Sequence, residues 1–191
     1  MEEMDAAKAR EHIEMVQQIL AESSQRLCYG GPYFIIWGLY SGAATVSWQL
    51  IHDRVLPVSS VWFQIALLVA AIAVTVVRAR MRPPDEERRS LVQREFFNVL
   101  WLTIGLSFIV NVGAFNLFPG FASAAIWSFA EAIVLLYIGM HGNRRAQIAG
   151  VAVVVSMIVA NFLPNLAGYV LAAGMVAGYA GFGLAESLAR E

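Results

Sequence analysis

Charge is scarce in this chain and unevenly spread. Only 14% of its 191 residues are Asp, Glu, Lys or Arg, and 59% are hydrophobic, against about 25% and about 45–50% in ordinary soluble domains. No Lys or Arg occurs at 27–53, 55–77, 95–143 or 146–189. Apolar stretches of that length predict membrane spans and exclude an ordinary soluble core. Cysteine is nearly missing: the one thiol, Cys28, excludes an intrachain disulfide and a metal site built on several cysteines. The three histidines, His12, His52 and His141, have no haem or metal spacing. The sequence holds no phosphate-binding glycine loop, no Ser-His-Asp order and no paired carboxylates. No enzyme activity, cofactor or metal is therefore expected. The net charge of −1 gives no electrostatic reason to expect a nucleic-acid partner. The first 25 residues are too polar to hold the apolar core of a secretory signal.

What charge there is gathers in one place. Residues 78–95 read RARMRPPDEERRSLVQRE and carry six arginines, Arg78, Arg80, Arg82, Arg88, Arg89 and Arg94. Short loops rich in Lys and Arg stay in the cytoplasm. The apolar runs on either side predict an all-α membrane helix bundle of six spans, at about 32–51, 57–77, 97–118, 121–140, 148–163 and 166–184. Pro83-Pro84 interrupts the arginine stretch, Pro119-Gly120 makes a tight turn, and Asn161 and Asn165 flank a turn at Pro164. Of the 13 Lys and Arg, 12 fall on the side of the termini and only Arg54 on the other. Both termini are thus expected in the cytoplasm of a bacterial inner (cytoplasmic) membrane protein. The spans are expected to pair as three antiparallel hairpins.

Residues 1–29 are expected to form a cytoplasmic amphipathic helix, and 30–191 the membrane domain. Ile13, Val16, Leu20 and Leu27 share one helical face. The helix is net acidic, which favours a protein surface over anionic lipid as its neighbour. Cys28 beside the first span reads as a bystander thiol before a palmitoylation site.

Glu131 is the one acid or base placed deep in a span. It lies ten residues into span 4, about 15 Å from the membrane surface at about 1.5 Å per residue. Such a residue faces the bundle interior and is a functional candidate. Without a cation it is expected protonated, able to donate one hydrogen bond between helices. Counting depth makes Ser107, Tyr40 and Ser41 its candidate neighbours, with Asn111 and Gln64 nearer the outer side. The group reads first as a structural interhelical bond and second as a proton or solute site. Gly38 and Gly42 in span 1, and Gly174, Gly178 and Gly181 in span 6, are small residues that let helices approach closely. They serve packing inside the bundle or, alternatively, a self-association face. Trp37, Trp48, Trp62, Trp101 and Trp127 lie towards span ends, as interfacial anchors do. A weak internal match at an offset of 67 places Gly38-Leu39 on Gly105-Leu106 and Gln64 on Glu131.

The stretch Ile13-Glu-Met-Val…Glu22-Ser-Ser…Arg26…Gly31-Pro-Tyr-Phe-Ile-Ile-Trp37-Gly38 resembles a group of small bacterial six-span membrane proteins of uncharacterised activity. These have a soluble N-terminal helix and a first span opening Gly-x-x-Tyr/Phe-x-x-Trp-Gly. The resemblance implies topology and no activity. In size and span number the chain is also similar to the substrate-binding membrane subunits of energy-coupling-factor transporters, on architecture alone. Two functions are expected from these features. The first is a non-enzymatic membrane subunit that acts through lipid-embedded contacts, as a homo-oligomer or with a membrane partner. The alternative is a small transporter or solute-binding subunit that uses Glu131 as an intramembrane proton or cation site.

Overall fold

The computed structural model describes residues 13–17, 31–57, 61–81, 91–113 and 121–189. Among these residues there are helices and turns and no strand. The elements are α1 (Gly31–His52), α2 (Val61–Met81), α3 (Leu91–Gly113), α4 (Phe121–Met140) and α5 (Arg144–Phe162). A 3₁₀ turn (Pro164–Leu166), α6 (Ala167–Met175), a π turn (Val176–Ala180) and α7 (Gly181–Leu188) follow without a break. These last four segments form one C-terminal rod. Five helices are long and apolar enough to cross a membrane: α1, most of α2, most of α4, α5 and the rod. Their length and composition are those of a multi-pass membrane protein, in which a helix keeps every backbone hydrogen bond inside its own segment. The apolar part of α3 among the described residues, Glu95–Asn111, is shorter. The outer part of the expected span 97–118 lies outside the described residues.

Local chemistry sets the boundaries. Pro32 sits in the first turn of α1, where its missing N–H costs nothing. At the other end, Arg54 N–H bonds to Ile51 O (3.1 Å) and Val55 N–H to Leu50 O (2.9 Å). This crossed pair satisfies the last carbonyls, and it puts Arg54 in the left-handed region at φ 59°, a place usually taken by glycine. The loop expected at 141–147 contracts to His141–Asn143, because the Asn143 side chain accepts from Ala146 N–H (3.1 Å) and starts α5 at Arg144. α2 runs to Met81 and so takes Arg78 and Arg80 into its last turn, where a loop was expected. The rod likewise runs past the expected end at 184 and includes Glu186. Residues 13–17 are helical and exposed. The rest of the expected N-terminal helix lies outside the described residues, as do Cys28, Arg82, Arg88, Arg89, Pro119 and Gly120.

The rod is the centre of the bundle. α1 packs along α6, the π turn and α7, while α5 packs along the rod and α4. α2 leans on α1, and α3 leans on α4. The core between them holds Phe34 of α1, Leu135 and Ile138 of α4, Val153 of α5, and Tyr179 and Phe182 of the rod. Phe34 meets Tyr179 and Phe182 edge-on at 5.2 and 5.0 Å between ring centres, a favoured aromatic geometry. Trp37 is half-buried and packs against this core.

Small residues let the backbones meet. A methyl group at Gly38 would strike Tyr179 and Ala180, and one at Gly42 would strike Val176. Across the rod, Gly174 faces Ser156 and Gly178 faces Val153. These four glycines are spent inside the bundle. Gly181 differs: a methyl there would meet only the Val176 carbonyl, 3.9 Å away. Gly105, the repeat partner of Gly38, has nothing within 4 Å, so the two positions do not play equivalent parts.

Candidate functional site

Glu131 lies ten residues into α4, and Ser41 ten residues into α1. Each is about 15 Å along its helix at about 1.5 Å per residue. Both helices pack on the rod, and the Ser41 hydroxyl lies within hydrogen-bonding reach of the Glu131 carboxyl. Glu131 is only 8% exposed. Its second carboxyl oxygen, Oε2, is buried with no hydrogen-bond partner. Tyr179, also 8% exposed, lies within electrostatic reach of this carboxyl. Tyr179 stands in the π turn, where Gly181 N–H forks to Gly178 O and Val176 O. π turns are rare and occur often at functional sites.

The other expected members are distributed differently. Ser123 donates to Asn111 Oδ1 at 2.5 Å and so ties α3 to α4 eight residues before Glu131, while Asn111 Nδ2 is buried without a partner. Gln64 is buried near the start of α2, and its Nε2 is also unpartnered. Ser107 is buried in α3. Tyr40 is half-buried and stacks edge-on with Trp37 at 5.7 Å. The structure thus brings Ser41 to Glu131 and gives Asn111 and Tyr40 other neighbours.

Two polar clamps escaped the sequence reading. At one end of the bundle, Gln49 is fully buried. Its Nε2 donates to Asp53 Oδ1 (2.9 Å) and Asn165 O (3.3 Å), and its Oε1 accepts from Gly168 N–H (2.9 Å). This fastens the end of α1 to the start of the rod. At the opposite end, Asn143 Nδ2 donates to Glu186 Oε1 (3.2 Å) and Arg145 donates to Ala185 O (3.1 Å). Arg145 also lies 3.8 Å from Glu186. The one cue to the first clamp was Gln49 four residues before Asp53, a spacing that places both on one helical face.

Among the described residues no group of three or more His, Cys, Asp or Glu side chains could hold a metal ion. No family model matches the chain, and neither a curated protein nor a solved structure does.

Proposed function

We propose that this is a six-span integral membrane protein of the bacterial inner membrane that acts without enzymatic chemistry, as an oligomeric or partner-binding subunit. In this reading α3 is the sixth span. The hairpins are α1–α2, α3–α4 and α5 with the rod, both termini face the cytoplasm, and residues 1–29 form a docking helix there. The distribution of Lys and Arg supports the orientation.

One observation carries the subunit reading. The middle of the rod's exposed side is a line of small residues, Ala173, Ala177 and Gly181, each four positions from the next, with Leu166, Leu184 and Leu188 exposed beyond its ends. The other exposed faces carry mostly large apolar side chains suited to lipid, although α2 also exposes Ala66, Ala70 and Ala73. The large ones include Ile148, Val151, Val155 and Phe162 on α5, and Phe63, Val69 and Val76 on α2. A small-residue line left open while its inward-facing glycines are already packed is a surface on which another membrane helix can lie closely. Gly181→Leu and Ala177→Leu should fold normally yet lose the assembled species in crosslinking and native mass measurements. A wild-type protein that is strictly monomeric in lipid nanodiscs and co-purifies with nothing would refute this proposal.

A second reading, a small transporter or solute-binding subunit, is favoured by the buried, unpartnered oxygen of Glu131. It requires flux of an ion or solute into vesicles that Glu131→Gln abolishes.

A further inference from the structure

We infer that Glu131, Ser41 and Tyr179 form a mid-bundle binding site for one small monovalent cation, an alkali ion or hydronium. The inference rests on the second reading above and supplies its ligand class. A carboxylate in a low-dielectric interior needs a compensating positive charge. None is built into the chain at this depth, since Lys and Arg are missing from 95–143 and from 146–189. Two oxygens already converge there, the Glu131 carboxyl and the Ser41 hydroxyl. One carboxyl oxygen is left with no protein partner although it is buried. A purely structural acid would be expected to spend both oxygens on the protein, because an unmade buried hydrogen bond is costly.

The third wall is unusual in its backbone. Tyr179 of the π turn lies within electrostatic reach of the carboxyl, and Gly38 lets α1 lie directly against Tyr179 and Ala180. Loading is a charge-for-charge exchange: the arriving cation takes its place on the Glu131 oxygen, and the proton that the carboxyl carried leaves. No net charge is then stranded in the membrane.

Full-length protein in vesicles can be compared by difference infrared spectroscopy in sodium, potassium and choline chloride, and in water against heavy water. For an alkali ion, sodium or potassium but not choline should convert a protonated carboxyl band to carboxylate bands. The change should vanish in Glu131→Gln and weaken in Ser41→Ala and Tyr179→Phe. For hydronium, no salt should act, but the same band should shift promptly in heavy water. A carboxyl band that responds to no ion and does not exchange would overturn the inference. Ser41→Ala provides the assignment should Glu131→Gln fail to fold, because loss of the hydroxyl must move the Glu131 band; if no carboxyl band moves, the inference fails there as well. Cation exchange without flux would sink the transporter reading and leave the site standing.

Discussion

At the scale of single residues, the buried polar side chains divide by what they can lose. Glu131→Gln keeps shape and hydrogen-bonding capacity but cannot ionise. It should therefore leave thermal stability near that of wild type, whatever it does to ion exchange. Glu131→Leu removes an interhelical hydrogen bond and should cost about 0.6 kcal/mol, up to about 2, measured by unfolding in detergent. Gln49→Leu should cost more. It leaves the Gly168 N–H unpaired in a buried position, a loss of about 1–3 kcal/mol. The contrast also shows what the sequence could reveal. Glu131 stands out as a lone acid in an apolar run. Gln49 is a neutral amide whose partners are backbone groups at Asn165 and Gly168, and no periodicity within α1 points to a turn so far along the chain. Asn111, counted nearer the outer side than Glu131, accepts from Ser123, eight residues before Glu131 on α4.

At the scale of the element, caps and turns account for the boundary shifts. A count of apolar residues stops at the first charge, whereas a helix stops where its backbone groups find partners. That is why α5 begins at Arg144 beside its capping Asn143, and why α2 runs on through Arg78 and Arg80. Asn143→Ala should destabilise by about 1 kcal/mol through the cap, and it also removes the amide that holds Glu186. Arg54→Gly should do the reverse. Its left-handed backbone costs a residue with a Cβ roughly 1 kcal/mol, so glycine should raise the unfolding temperature without altering the crossed hydrogen bonds. The rod provides a matched pair on one helix. Gly178→Leu collides with Val153 and should prevent folding, while Gly181→Leu should be accommodated.

At the scale of the whole molecule, the helical class and most spans were legible because long apolar runs and clustered arginines are one-dimensional signals. The arrangement was not. Nothing in the order of the spans says that the last one lies at the centre, with α2 and α3 leaning on α1 and α4. For the proposed orientation, a cysteine at Asp53 or Gly120 should react with an impermeant reagent from outside, and tags at both ends should report cytoplasm. Neutralising Arg78, Arg80, Arg82, Arg88 and Arg89 together should mix the orientation. Inverted labelling of the wild type would sink the topology.

The central place of the rod has a consequence for biogenesis. Gly38 and Ala180, which touch in the finished bundle, are 142 positions apart (180 − 38). At about 5–20 residues per second of synthesis, the first span waits roughly 7–30 s for the segment it is shaped to hold. Until then its glycine face must be shielded by lipid or by the insertion machinery. A released chain ending before Pro164 would hold every earlier helix but lack its keystone. Quality-control proteases should therefore clear such truncated chains quickly, even though they contain all but the last of the proposed spans.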